Sequence, residues 1–191
     1  MIKDKKQLAY YLECDRVALG ISRKKPKFIG DEIWKFERVM RKLDYASTNR
    51  KILSRLILKL RYRNLGMKLG FSIPFGVCGP GLAIVHYGCI VVATNAKIGE
   101  NARIHSGVNI GANAGEEESA TIGNNVYIGP GAKIIGDITI GDNVCIGANA
   151  VVVKDVESDI TVGGIPAKKI SDNGSEKHLK KATAIVKKSK A

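Results

Sequence analysis

The sequence predicts a mainly β fold: a parallel β-helix of short stacked coils, preceded by an α-helical N-terminal region. Residues 122–157 read in sixes, with Ile122, Ile128, Ile134, Ile140, Ile146 and Val152 opening successive hexads. Gly usually follows the opener, and Val, Ala or Ile stands four places later in each hexad. The N-terminal third shows no such frame and places its apolar residues at helical spacing instead. A strict six fits neither the strand period of two nor the helix period of 3.6. It does fit a short flat edge with one inward aliphatic anchor, followed by a tight turn built on Gly, Asn or Asp. One such coil cannot bury its own apolar face, so coils must stack.

The frame runs upstream through Ile110, Ile104, Ile98 and Val92, since Ile110 and Ile122 are twelve apart. Projected further, it puts His86, Pro80 and Pro74 in the inward slot. The hexad at 116–121 has no aliphatic opener, and Glu116, Glu117 and Glu118 cannot be buried unpaired. Residues 113–119 are therefore predicted to leave the coil as a loop.

Taken in order, a first helix is predicted over 5–19, with Leu8, Tyr11, Leu12 and Val17 on one side and Gly20 ending it. A basic loop follows at 22–27, where Pro26 bars helix continuation. Asp31 is the expected N-cap of a second helix carrying Ile33, Trp34, Phe36, Val39, Met40 and Leu43. A third, over 50–69, has a stripe of Ile52, Leu53, Leu56, Ile57 and Leu60 with Arg55, Lys59, Arg61 and Arg63 beside it. Packing of that stripe on its own domain is the expected use, and contact of the basic helices with a membrane surface is the alternative. Gly and Pro then punctuate residues 70–88, where the β-helix begins, and it ends near 170. The chain so divides into a helical region (1–69), a β-helix domain (70–170) and a basic tail (171–191), the last read as a frayed helix or disordered.

The formal charge of +13 is unevenly spread. Lys and Arg outnumber Asp and Glu by 19 to 7 over residues 1–70 and by 6 to 2 over 171–191, whereas the coils hold 6 against 9. The basic ends read as a solvated helical surface. With 6% aromatic residues and no recognised reading motif, no nucleic-acid partner is expected. Cys14, Cys78, Cys89 and Cys145 are scattered without a CxxC pair and read as reduced thiols. No apolar run near eighteen residues and no signal peptide is seen, so the expected location is cytoplasmic.

The hexads followed by Gly163-Gly164-Ile165-Pro166-Ala167-Lys168 resemble the hexapeptide-repeat acyltransferases, and within them the serine acetyltransferase family, over residues 70–170. The segment Gly81-Leu-Ala-Ile-Val-His86-Tyr-Gly is similar to that family's catalytic segment. The resemblance implies a left-handed coil with three hexads per turn, a homotrimer with sites between subunits, and an O-acetyltransferase using acetyl-CoA. It makes His86 the catalytic base, and a positioned imidazole typically contributes about 10²–10⁴-fold. His105, 19 places on, is expected to point outward and line the acceptor pocket, with Glu116, Glu117 and Glu118 as the nearby carboxylates. An exposed histidine without a role is the plainer reading of His105, and His178 is read as incidental.

On the donor side the matching positions are Gly111-Ala112, Gly129-Pro130 and Gly147-Ala148, where small residues let a pantetheine arm approach the backbone. Lys168 and Lys169 are placed to meet the phosphates of coenzyme A as point charges. With only His86 and His105 in the coils, a three-histidine zinc site is not available and no metal is expected.

Three acceptor-side positions depart from the family pattern. Val85 stands where the family has an Asp before the histidine, Ser119 where it has a second histidine, and Phe71 where it has an acid for the serine ammonium. Two acceptors stay open: L-serine, as in cysteine biosynthesis, and a sugar hydroxyl, as in acetylation of a surface-polysaccharide precursor.

Overall fold

The computed structural model describes residues 1–189. Three helices come first: α1 (Lys5–Ala18), α2 (Glu32–Thr48) and α3 (Ile52–Leu69). Asp4 caps α1 by accepting from the Gln7 amide at 2.8 Å. Asp31 stands at the N-terminus of α2 as expected, but in a left-handed conformation, and caps nothing. Its carboxylate turns back to the Lys27 amide and to Arg23, so it fastens the basic loop instead. Gly70, with φ of 77°, closes α3 and starts the coils.

Fourteen short strands then form the three faces of a left-handed parallel β-helix. Face A holds β1 (Phe71–Ser72), β3 (Ile90–Val92), β6 (Asn109–Gly111), β9 (Lys133–Ile135) and β12 (Val151–Val152). Face B holds β4 (Lys97–Ile98), β7 (Thr121–Ile122) and β10 (Thr139–Ile140). Face C holds β2 (Ala83–Ile84), β5 (Arg103–Ile104), β8 (Tyr127–Ile128), β11 (Cys145–Ile146) and β13 (Thr161–Gly163), with β14 (Lys168–Ser171) antiparallel at its edge. The hexad openers stack as inner columns: Val92, Ile110, Ile134 and Val152 on face A, and Ile98, Ile122 and Ile140 on face B. Val126, Ala132, Val144 and Ala150, four places after openers, are also buried. Asn101, Asn125 and Asn143 share one corner with φ near 57° and hand amide bonds down the axis, 2.8 Å and 2.9 Å long, ending on Asp159. Asparagine is the side-chain-bearing residue that tolerates this backbone best, and its own amide repays the strain.

Partners below the acidic segment are 18 residues apart, as Ile122 and Ile140 show, and 16 apart in the last coil, as for Ile146 and Val162. Across the coil with the acidic segment the spacing is 24, as for Ile98 and Ile122. That segment is a six-residue excursion, which is why the frame survives it. Residues 113–118 are exposed, while Ser119, expected in the loop, is already buried. The first coil is different again: Ile84 pairs with Ile104 and Cys78 bridges Ile98, both 20 apart. The inward slots assigned by projection to His86 and Pro80 therefore belong to Ile84 and Cys78. Two extra residues lie between Ile84 and Val92, and they swing His86 out of the core.

The helices close the open end of the coil. The first strand of face C has no preceding coil to take its amides. Asp15 Oδ1 accepts from the Gly81 and Leu82 amides at 2.9 Å and 3.0 Å, and Glu37 Oε1 accepts from Ile84 at 2.9 Å. Arg41, as buried as Asp15, bonds that carboxylate at 2.8 Å and 3.1 Å and donates to the Cys78 and Gly79 carbonyls at 2.6 Å. Burial pushes the Glu37 carboxyl well above its usual range, and the Asp15 charge adds to that.

Two expectations fail here. The stripe of α3 does not pack on its own domain: Ile52, Leu53, Leu56, Ile57 and Leu60 are exposed, and Leu58, Tyr62, Leu65 and Leu69 make the inward face. The tail, read as frayed or disordered, is packed as far as it is described; residues 190 and 191 lie outside the described residues. It runs back along the asparagine corner, where Ser175 donates to the Asn143 and Asn125 carbonyls and Thr183 exchanges bonds with Asn101. A last helix, α4 (Ala182–Lys188), reaches the first coil, with Ala182 buried against Ala18 and Ala83.

Candidate active site

The corner between faces C and A carries the chemistry. Successive coils present Val85, His105, Gly129, Gly147 and Gly163 there, and the first four of these amides bond to the carbonyl of the next coil's anchor. His86 sits beside the head of this column, exposed, on the two-residue enlargement of the first coil. Its ring lies 6.0 Å from that of His105, centroid to centroid. Because the first coil spans 20 residues, His105 is level with Val85 rather than one residue beyond His86.

His105 is half-buried, and its Nε2 is buried without a hydrogen-bond partner. Burial, then the charge of Arg103, then His86 hold its pKa below the ordinary 6.5, so it is neutral at neutral pH. A proton NMR titration should put the His105 midpoint below 6.5, and His86→Gln should move it upward; a midpoint at or above 6.5 in the native protein would contradict the burial argument. The row of rings continues further than sequence reasoning found. Tyr127 lies 5.0 Å from His105, and His178, read as incidental, lies 5.0 Å from Tyr127. No periodic signal marks His178, because the returning tail brings it there.

Below the histidines the column is bare backbone. A side chain at Gly129 would meet Ile146 O at 2.7 Å and the Ala148 amide nitrogen at 2.8 Å, so Gly is required there by coil stacking itself. Gly129-Pro130 and Gly147-Ala148 stand one above the other on this corner, whereas Gly111-Ala112 ends β6 at the next corner, between faces A and B. Lys168 and Lys169 are exposed on β14 beside the last coil, and Lys169 pairs with Asp172. From His105 to Gly163 the column descends three coils, about 14 Å at roughly 4.8 Å each.

The carboxylates divide. Glu116, Glu117 and Glu118 are not brought to His86 within the chain: their loop leaves at the corner between faces A and B, where the Glu117 carbonyl accepts from Asn95 at 2.9 Å. Glu118 lines a hollow of about 730 Å³ with Met1, Asp44, Phe75 and Lys97, on face B and away from the histidines. A smaller hollow of about 270 Å³ adjoins the His86 segment, lined by Val85, Tyr87, Trp34, Asp31 and Glu32. The sequence marks Asp31 only as a helix cap and does not single out Glu32. Phe71 is buried against Phe36, ring centroids 5.2 Å apart, and is a core residue. Ser119 is buried with its Oγ unpartnered. Among the described residues there is no group of three or more His, Cys, Asp or Glu side chains that could hold a metal ion.

A family model described as bacterial transferase hexapeptide (six repeats) matches residues 119–154. No curated protein matches the chain. Among solved structures, serine acetyltransferase from Neisseria gonorrhoeae is 27% identical, with 87% of this chain and 67% of that one covered and a TM-score of 0.70. The same enzyme in complex with serine is also 27% identical, covering 86% and 69%, with a TM-score of 0.66. Serine acetyltransferase from Brucella abortus in complex with coenzyme A shares the fold at 24% identity, covering 89% and 70%, with a TM-score of 0.71.

Residues 119–154 carry the repeats of a bacterial hexapeptide transferase, and the coil has the fold of that class of acyltransferases. Within the class the chain is similar to serine acetyltransferases.

Proposed function

We propose that the chain is an acetyl-CoA-dependent O-acetyltransferase acting on the hydroxyl of a small molecule, with His86 as general base. The observation that carries this reading is the column itself: two histidines at its head, bare glycine backbone below, and two lysines at its foot. The Brucella abortus enzyme with coenzyme A and the Neisseria gonorrhoeae enzyme with serine support the donor and the reaction class. The column fits an extended donor arm, since Gly129, Gly147 and Gly163 carry no side chains to keep it from the backbone. Lys168 meets its phosphates, joined by Lys169 once that side chain leaves Asp172. Acetyl-CoA supplies a thioester carbonyl already activated toward attack.

His86 takes the proton of the acceptor hydroxyl as that oxygen bonds to the acyl carbon. As the carbon–sulfur bond breaks, the imidazolium returns the proton to the departing sulfur, leaving an acetyl ester and a free thiol. His105, kept neutral by its surroundings, hydrogen-bonds the acceptor and orients it. His86 is open on its outer side, and we propose that a second subunit completes the site in a closed homotrimer. The loop of Glu116, Glu117 and Glu118 is then the wall that one subunit offers its neighbour.

L-serine is the acceptor that the family likeness favours. Val85 and the buried Phe71 favour a sugar hydroxyl, because an ammonium group buried without a carboxylate costs several kcal/mol. Release of free thiol is to be followed against serine, homoserine and nucleotide sugars, alongside light scattering. For a serine enzyme, Glu116→Gln, Glu117→Gln and Glu118→Gln together should abolish turnover. For a sugar enzyme the same change should cost less than about tenfold, since amides also form hydrogen bonds. Serine acetylation that survives the triple change would sink both branches, and an active monomer would remove the shared site.

A further inference from the structure

The charge at the N-terminal end and the outward stripe of α3 are not used by acetyl transfer. The helix has two apolar faces. Leu58, Tyr62, Leu65 and Leu69 fasten it to the domain, and Leu53, Leu56, Ile57, Leu60 and Met67 point away, each more than half exposed. At helical spacing, Arg55, Lys59 and Arg63 run along one border of the outer stripe and Arg61 lies on the other. The sequence has no Asp or Glu between Asp44 and Glu100. Beside α3, Pro26 shares a shallow groove with Leu58 and Arg61, so the loop carrying Arg23, Lys24, Lys25 and Lys27 adjoins it. That loop holds out Phe28 and Ile29, 97% and 83% exposed.

We propose that this face docks on an anionic lipid surface, with α3 lying in the plane of the headgroups. Its eighteen residues extend about 27 Å, and among the described residues no helix is long and apolar enough to cross a bilayer. An apolar stripe bordered by cations is the pattern of a helix that lies on a membrane: the aliphatic side chains enter the acyl boundary while Arg and Lys reach up to phosphates. Charge selects this occupant over the others. A second copy meeting the stripe across a two-fold would set rows of cations against each other with no carboxylate on α3 to receive them. Nucleic acid would satisfy the cations and leave the Leu and Ile stripe in water. The excess of cations over the first seventy residues adds long-range attraction to an anionic leaflet.

The test is vesicle sedimentation of the full chain with phosphatidylcholine vesicles, either pure or carrying roughly one phosphatidylglycerol in three lipids. The native protein should bind the mixed vesicles and release as salt is raised, with little binding to pure phosphatidylcholine. Leu53→Gln, Leu56→Gln and Leu60→Gln together should weaken that partitioning by about tenfold or more. Arg55→Gln, Lys59→Gln and Arg63→Gln should flatten the salt dependence. All six positions are exposed, so circular dichroism and melting should not move, and acetyl transfer to a soluble acceptor should be kept. Absence of vesicle binding, or equal binding by the leucine variant, would overturn the proposal. So would self-association in light scattering that the leucine variant abolishes without any vesicle binding, since a second copy would then own the stripe.

Discussion

His86→Ala is expected to lower kcat by about 10²-fold or more while leaving coenzyme A affinity within about twofold. The ring stands at the head of the glycine column and outside it, so its removal deletes a proton acceptor and no wall of the donor groove. His105→Ala should act chiefly on the acceptor KM, because that ring is half-buried between His86 and Tyr127 and serves orientation. The two variants separate the roles. If His86→Ala kept full activity, or if the effects were exchanged, the base would have to be reassigned to His105, whose unpartnered Nε2 is the next nearest candidate.

Asp15→Ala should cost about 3–5 kcal/mol of folding stability, since it leaves a buried guanidinium without its counter-charge. Asp15 also takes the Gly81 and Leu82 amides, so one truncation unfastens α1, α2 and the first coil together. Replacing both partners by apolar residues, Asp15→Leu with Arg41→Met, should cost less than the single change, because no charge is then stranded. Trp34, the sole tryptophan and 1% exposed in α2, reports the urea transition from inside this cap. A loss below about 1 kcal/mol for Asp15→Ala would mean that water reaches the pair.

The inner columns were legible because each Ile of the repeat maps onto one face without further information. The six-residue excursion at the glutamates was legible too, since carboxylates cannot occupy an inward slot. A strictly regular frame points His86 inward, and the first coil departs from it: the two residues that enlarge that coil carry no period, and counting back in sixes cannot sense them. The enlargement explains how His86, which the resemblance makes the base, reaches solvent. The stripe on α3 was read correctly as a stripe but assigned to the wrong side. Leu58, Tyr62, Leu65 and Leu69 form a second apolar face on the same helix, and periodicity alone does not say which one the domain takes. Glu32, beside the His86 segment, and His178, on Tyr127, are placed by contacts between distant parts of the chain and left no local mark, while Asp31 left one only as a helix cap.

A stack of coils is a one-dimensional solid, in which each layer is held only by its neighbours and the two ends are free to melt. The returning tail changes that topology. It leaves the last coil, binds Asn143, Asn125 and Asn101 in turn, and sets Ala182 against Ala18, on the helix that Asp15 clasps to the first coil. Thr183 and Asn101, which exchange two bonds, are 82 residues apart in sequence. The chain thus becomes a closed circuit instead of a ladder with two loose ends. A terminal layer can detach only if the far end lets go as well, so melting is driven from layer-by-layer fraying toward a single concerted event.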